Sequence, residues 1–273
     1  MMNAKVIQGN KGFSIIELLV VLVISSVVLG ALYQSLVARV HPHAVQEQIV
    51  EMRQNLRASI DRMTREIRMA GYGGEMIAAF GNVNTFTAVI SPVNGGSNDA
   101  ITIILADEVA QLSQNAPAGT TQLILNVTSG SDLFNTTTKK YLCLNGQNNY
   151  VVANVSGNTI TLATPLSEDH LANETVSLVK AITYSIQPGT MNLVRDENTG
   201  DGSQIMADAV EDLQFQYTLS NGSVSDSPGI PSEIRSVSLT VAARTQNPNP
   251  QSAGDGYQRQ TLTSHTEVRN LGL

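Results

Sequence analysis

One acidic residue stands alone in the most apolar part of this sequence, and its position restricts the chemistry more than any other. Between Phe13 and Ala38, Glu17 is the only side chain that carries a charge at neutral pH. A carboxylate at membrane depth costs at least about 2.5 to 3.5 kcal/mol and is normally retained for a reason. Burial physics alone leaves open whether Glu17 is an interfacial acid that reaches the lipid headgroups or a charge that is kept for a function.

The segment that carries Glu17 has the length and composition of a membrane-spanning helix. Leu18 to Ala38 comprises 21 uncharged residues, enough to cross an apolar layer of about 30 Å as a helix. Residues 1–12 form a polar leader that contains lysines but no acid. This basic leader favours a cytoplasmic N-terminus and an external remainder. A secretory signal peptide would place its apolar region before the cleavage site, whereas here the apolar run follows Gly12.

The ten residues from Lys11 to Val20, KGFSIIELLV, resemble the processing and methylation motif of type IV prepilins. The resemblance implies that a prepilin peptidase cuts after Gly12 and methylates the new N-terminal amine of Phe13. Glu17, one helical turn further on, would then face the amine of a neighbouring subunit in an apolar filament core. Such a pair is stronger there than in water, although desolvation offsets much of the gain.

Beyond the span, the hydrophobic pattern becomes that of an amphipathic helix. Apolar residues recur at intervals of three and four on one face: Val45, Ile49, Met52, Leu56, Ile60, Met63 and Ile67. The opposite face carries charges, among them Arg62 and Glu66 at the spacing of an ion pair. We expect this face to pack on the chain's own globular domain.

The two helical segments, residues 13–40 and 41–74, are predicted to be continuous. Pro42 removes a backbone hydrogen bond and predicts a kink. The glycines after Ala70 predict the end of the helix. Residues 75–273 would then form a head that begins after this helix.

The head reads as short β-strands separated by Gly, Asn, Ser and Pro. The candidate strands are Thr85–Ile90, Ala100–Leu105, Gln122–Val127, Lys140–Leu144, Tyr150–Val155, Thr159–Ala163, Thr175–Ile186, Met191–Arg195, Val210–Leu219, Ile234–Ala243 and Gln260–Val268. Residues 156–158 and 221–222 predict hairpin turns. A long N-terminal helix packed on a strand-rich antiparallel head is an α+β fold.

A second resemblance concerns both ends of the head. The runs Arg65–Gly74, Val210–Tyr217, Ile234–Arg244 and Val268–Leu271 are similar to the PilW family of minor pilins, which is related to the J-type minor pseudopilins of type II secretion. Residues 109–173 match nothing in that family and predict an inserted β-module. The disulfide of many pilins cannot form with the single Cys143, so the C-terminal loop must be held in another way.

The remaining candidate sites are weaker. Asp196, Asn198 and Asp201 form an oxygen-rich loop and a weak calcium candidate, but an EF-hand needs a ligand where Gly200 stands, and a plain turn is the better interpretation. Cys143 lies in an apolar run and reads as a small core residue. His41 and His43 read as juxtamembrane polar residues.

Enzymatic and nucleic-acid functions are disfavoured. The sequence has neither a phosphate-binding glycine loop nor a glycine-framed nucleophile, so we expect no enzyme activity and no cofactor. A net charge of −7 without a dense basic patch argues against a nucleic-acid partner.

Together with these observations, the two resemblances imply a minor pilin that primes or caps assembly of a type IV pilus. It would span the inner membrane once with its head in the periplasm, then enter the filament at the cell surface. Its expected partners are prepilin peptidase, other major and minor pilins, and a tip adhesin. Two alternatives remain: a minor pseudopilin of type II secretion, and a pilus-borne adhesin that uses residues 109–173 for recognition.

Overall fold

The computed structural model of the chain describes residues 14–249 and 254–271, without the side chains of residues 36–45. The chain divides into two compact units, Met1–Val50 and Glu51–Leu273. The predicted cleavage site, Gly12 and Phe13, lies outside the described residues.

A single long helix, α1 (Ile15–Met69), forms the N-terminal part of the described chain, as the sequence predicts. Pro42 lies inside it, among the residues whose side chains are not described, and its kink stays a prediction. The helix ends as expected at glycines: Gly71 has a φ of 81°, which glycine adopts without strain. A short helix that the sequence did not predict, α2 (Met76–Phe80), follows.

The glycine turn after α1 lies close against the head. A side chain on Gly73 would place its Cβ 2.8 Å from the Cβ of Ala106, too close for two carbon atoms. The Gly73 carbonyl accepts a hydrogen bond of 2.8 Å from the amide group of Asn149. Glycine is therefore required here by close approach as well as by backbone conformation.

Thirteen strands make up the described head. They are β1 (Ile90–Val93), β2 (Ala100–Gln111), β3 (Gln122–Ile124), β4 (Tyr141–Leu144), β5 (Asn148–Ser156), β6 (Thr159–Leu162), β7 (Thr175–Ile186), β8 (Leu193–Asp196), β9 (Ser203–Ala207), β10 (Val210–Leu219), β11 (Val224–Ser225), β12 (Ile234–Arg244) and β13 (Arg259–Glu267). Two 3₁₀ turns, Gly130–Asp132 and Pro231–Glu233, interrupt the loops.

The described strands form two sheets. The first follows the order β1-β2-β7-β4-β5-β6-β3, with β8 paired to β7 and β9 paired to β8. The second has the order β11-β10-β12-β13. All the pairings are antiparallel, which confirms the predicted α+β class with an antiparallel head.

The strands predicted for the head differ from the observed strands in one wrong strand and two missing ones. Thr85–Ile90 is not a strand: Asn84 and Thr85 have φ values of 47° and 79°, and β1 begins only at Ile90. The turn overrides the β-propensity of the residues that follow it. The sequence also gave no sign of the short strands β9 and β11. The predicted hairpin turn at residues 156–158 is confirmed, because Ser156 pairs with Thr159.

The apolar face of α1 enters the main core as predicted. Five of its side chains are buried there: Met52, Leu56, Ile60, Met63 and Ile67. They pack with buried residues of both sheets, including Tyr184 of β7 and Leu239 of β12. Val45 lies outside the described side chains and Ile49 is partly exposed, so the first fully buried residue of the described part of this face is Met52.

Residues 109–173 have a largely separate apolar cluster but are joined to the first sheet. Buried side chains such as Leu123, Phe134 and Ile160 pack together there. Strand β4 of this region pairs with β7, with Leu142 opposite Leu178. That this region is an insertion stays a prediction.

The loop between β12 and β13 is closed by charges. Glu211 pairs with Arg244 at 3.3 Å and with Arg259 at 2.8 Å. Arg259 also pairs with Asp255 at 2.6 Å, and its hydrogen bonds hold the pKa of Asp255 at about 2. The guanidinium of Arg244 lies 3.9 Å from the ring centroid of Tyr257. These contacts act where a disulfide is not available.

We predict that the α1 face contributes strongly to the stability of the head. Met63→Ala removes a side chain that is 0% exposed and leaves a cavity, so the free energy of unfolding should fall by about 2 to 5 kcal/mol. The matched control is Arg57→Ala on the exposed side of the same helix, with an expected change within about 0.5 kcal/mol. Denaturant unfolding of the purified variants measures both, and equal effects would contradict the packing.

Candidate functional site

The N-terminal part of α1 is an apolar helix whose side chains are exposed from Ile15 to Ser35. Ile15–Ser35 is long and apolar enough to cross a membrane, and none of it is buried. Its large apolar side chains are between 51% and 81% exposed. The Ser14 carbonyl starts the helix by accepting hydrogen bonds from the amides of Glu17 and Leu18 at 3.0 and 3.2 Å.

Glu17 lies in the first turn of this helix and is exposed. The unpaired amides of a helix N-terminus give that end a partial positive charge, which favours a carboxylate there. Every other side chain of Ile15–Ser35 is uncharged. Because Phe13 lies outside the described residues, its proposed pairing with Glu17 stays a prediction.

The polar groups of the oxygen-rich loop after β8 bond within their own turn and to neighbouring residues of the head. The Asp196 carboxylate accepts the backbone amide of Asn198 at 2.8 Å, and the Asn198 side chain donates to the Thr183 hydroxyl at 2.9 Å. Asp201 pairs with Lys139 at 2.6 Å, which lowers the pKa of Asp201. Among the described residues, no group of three or more His, Cys, Asp or Glu is placed to hold a metal ion.

Cys143 and the two described histidines occupy different environments. Cys143 is buried in β4, as expected for a small core residue, and burial raises the pKa of its thiol to about 11. His170 is buried, and its Nδ1 lies 2.7 Å from a carboxylate oxygen of Glu174. His265 is exposed on β13.

A buried charge cluster, which sequence reasoning missed, joins α1 to the first sheet. Arg195 of β8 has a side chain only 2% exposed. Its Nε lies 3.2 and 3.1 Å from the two carboxylate oxygens of Glu66, and its Nη1 lies 2.7 Å from Glu197. The hydroxyl of Tyr184 also donates to Glu66.

The cluster continues along β7 to β2. Lys180, whose side chain is 8% exposed, lies 2.9 Å from Glu197 and 2.8 Å from Asp107. The predicted Arg62–Glu66 pair also forms, at 3.2 Å. The cluster is therefore neutral, and its short ion pairs offset the cost of burying charges. It comprises three carboxylates and three cations: Glu66, Asp107, Glu197, Arg62, Lys180 and Arg195.

The pKa shifts in the cluster hold its groups in fixed protonation states, as expected for a structural role and not for proton transfer. Burial raises the pKa of Tyr184, and the nearby Glu66 raises it further. Burial alone would lower the pKa of Arg195, but its hydrogen bonds to Glu66 and Glu197 raise it. Burial would raise the pKa of Glu197, yet Lys180 and Arg195 hold it below the ordinary value. These shifts keep Tyr184 neutral, Arg195 positive and Glu197 negative near pH 7.

Sequence reasoning placed Glu66 on the solvent side of α1 and found only its local partner. The signal for the cluster was present in β7, where Lys180 interrupts a run of apolar residues. A charged residue in a buried strand requires a partner. The identity of that partner depends on the pairing of β7 with β8 and β2.

We predict that the cluster makes the head less stable in acid. The pKa of Glu197 is lower in the folded than in the unfolded chain. The contribution of this carboxylate to the free energy of unfolding is therefore full above about pH 4.3, and it is lost as the pH falls through the pKa of the folded chain. At pH 7, Glu197→Gln should cost about 1 to 2 kcal/mol after solvent screening.

Thermal unfolding from pH 7 to pH 3 measures this effect. The gap in Tm between the native chain and Glu197→Gln should narrow as the pH falls below about 4. Glu108→Gln, an exposed acid on β2, is the control and should show little change. A gap that is independent of pH would show that Glu197 acts through packing alone.

Comparison with known proteins finds a match to a family model at the N-terminus and a similar solved structure. The family described as the prokaryotic N-terminal methylation motif matches residues 7–33, a range that contains Gly12, Phe13 and Glu17. The search of curated proteins found no match. A solved type IV-like pilin from Thermus thermophilus is similar at 10% identity, with a TM-score of 0.40, over 80% of this chain and 97% of that chain.

The motif covers the start of the apolar helix and its only carboxylate. The chain thus carries a prokaryotic N-terminal methylation motif at the start of a long helix. An antiparallel, strand-rich domain follows this helix, which is the α+β arrangement predicted from the sequence.

Proposed function

We propose that this chain is a minor pilin, a structural subunit that primes or caps a type IV pilus. A prepilin peptidase cuts it between Gly12 and Phe13 and methylates Phe13. One observation carries the proposal: a lone carboxylate, Glu17, lies in the first turn of an exposed apolar helix inside a matched methylation motif.

The exposed apolar surface of Ile15–Ser35 supports two successive environments. Such a surface is unfavourable in water and must be covered. The inner membrane covers it first, because the segment has the length of a span. The apolar helices of other major and minor pilins cover it after assembly, so the same residues serve storage and filament.

Glu17 gives this otherwise uniform surface a fixed register. An apolar helix slides past similar helices at little cost, whereas an acid in an apolar core is stable only opposite a cation. The new amine of Phe13 on a neighbouring subunit supplies that cation. Glu17 therefore sets the axial position of the subunit, and its role is assembly and not catalysis.

The head supports a minor position in the filament. Removal of the leader leaves 261 residues, a large subunit to repeat along a whole filament. The head lies in the periplasm before assembly and at the cell surface afterwards, where a tip adhesin is a further partner.

The first consequence is a defined cut. We expect intact-mass analysis of the chain recovered from cell membranes to show a protein that begins at Phe13 and carries an N-methyl group. Gly12→Leu should leave the leader attached, while Gly9→Leu, inside the leader, should leave processing normal. A full-length chain in cells with active prepilin peptidase would contradict the proposal.

The second consequence separates assembly from insertion. Glu17→Ala removes an intramembrane charge, so membrane insertion should be unchanged or easier. Assembly should fail, since an unpaired buried amine costs about 3 to 5 kcal/mol. Glu17→Gln should fail nearly as badly, Glu17→Asp should be partly active, and Gln34→Ala, an uncharged polar change in the same helix, should assemble normally.

Co-purification with other pilins, pilus counts and protein export measure these variants together. Normal co-purification and pilus counts for Glu17→Ala would make Glu17 an interfacial acid only. Loss of export with pili intact would instead assign the chain to type II secretion.

A further inference from the structure

Strand β13 leaves one edge of the second sheet open. Its nine residues pair with β12 without a register shift, and no described residue pairs with its other side. The seven residues from Gln260 to Thr266 contain no Lys, Arg, Asp, Glu or Pro. Proteins normally protect a long edge with charges, proline, bulges or a covering segment.

The other edge strands of the described sheets do show such protection. Strand β1 has Pro92 in its interior, and β3 and β11 are only three and two residues long. Strand β9 has an irregular register with β8, and the hydroxyl of Ser59 donates to its Met206 carbonyl at 3.1 Å. The open edge of β13 is therefore an exception among the edge strands that the structure describes.

The hydrogen bonds at the ends of the β12–β13 pair show which backbone groups face outward. The amide of Val268 donates to the carbonyl of Arg235, and the amide of Thr245 donates to the carbonyl of Gln258. Because antiparallel ladders alternate, the even-numbered residues of β13 bond to β12. Residues 259, 261, 263, 265 and 267 direct their amides and carbonyls to the open edge, where the only described bond is from the Gln260 side chain to the Thr261 carbonyl.

We propose that this edge pairs with β13 of a second copy of the chain, antiparallel and centred on Thr263. Two-fold pairing places Thr263 opposite Thr263, Thr261 opposite His265, and Arg259 opposite Glu267. Each of these residues directs its backbone amide and carbonyl to the open edge, so every one of these opposed pairs can exchange backbone hydrogen bonds along the whole strand. The two four-stranded sheets then form one continuous sheet of eight strands.

Charge complementarity selects this register and this partner. Centring the pair on Thr263 places the only charged residues of β13, one at each end, opposite each other. Arg259 already pairs with Glu211 and Asp255, so Glu267 joins an existing network in place of forming an isolated pair. A shift of the centre by one residue either way keeps the ladder phase but shortens the pairing and removes both Arg–Glu pairs.

The proposal does not depend on the proposed filament function, and disulfide cross-linking of the full-length chain in membranes tests it. Thr263→Cys places two thiols across the two-fold axis with their Cα atoms about 5.5 Å apart, within disulfide range. Mild oxidation should give a product of twice the monomer mass. The native Cys143 is buried, and the unaltered chain should give none.

The register provides a sharper control. Thr261→Cys alone should not cross-link, because the two copies of residue 261 lie about 13 Å apart along the strands. Co-expression of Thr261→Cys with His265→Cys should give the dimer, since these residues are opposite. Adding Thr263→Pro to both chains removes an outward amide and keeps the backbone ladder to β12, while the exposed bond between the Thr263 and Thr240 hydroxyls is lost. The change should abolish the dimer and lower Tm only slightly.

The possible results separate clearly. A dimer from Thr263→Cys and from the mixed pair, but not from Thr261→Cys alone, supports the proposal. Absence of a Thr263→Cys dimer from folded protein overturns it. Equal cross-linking of Thr261→Cys, or a product with a different protein only, overturns the register or the partner.

Discussion

The head depends on the neutralisation of one buried arginine. Arg195 is almost fully enclosed, and a buried cation without a partner would destabilise the fold by several kcal/mol. Its partners come from two places: Glu66 on α1 and Glu197 in the loop after β8. Apolar packing alone would let the helix slide along the sheet. The hydrogen bonds between the Glu66 carboxylate and the Arg195 guanidinium require one position, so they fix the register of the helix on the sheet.

What the sequence predicted correctly is governed by local periodicity. The three- and four-residue spacing of apolar side chains identified the buried face of α1 from Met52 to Ile67. The β-prone runs separated by Gly, Asn, Ser and Pro identified the main strands, among them β10 and β12. The error at Thr85–Ile90 arose where positive φ values interrupt a β-prone run. The Glu66–Arg195 pair joins positions 129 residues apart, and no local pattern contains that information.

The candidate site around Glu17, unlike the Glu66–Arg195 pair, could be predicted from the sequence. Glu17, the apolar run around it and the matched motif are contiguous in sequence, so their relation is readable without tertiary structure. The open edge of β13 was not readable in this way. Its sequence resembles that of an interior strand, and only the sheet order shows that one side has no neighbour among the described residues.

The charged closure of the loop between β12 and β13 has a consequence for how the chain matures. A disulfide must be formed by an oxidant and proofread by an isomerase, whereas the contacts of Glu211 with Arg244 and Arg259 form on the timescale of side-chain motion. Closure of this loop therefore needs no oxidant. In exchange, the closure responds to ionic strength, because exposed ion pairs are screened by salt and a covalent bond is not.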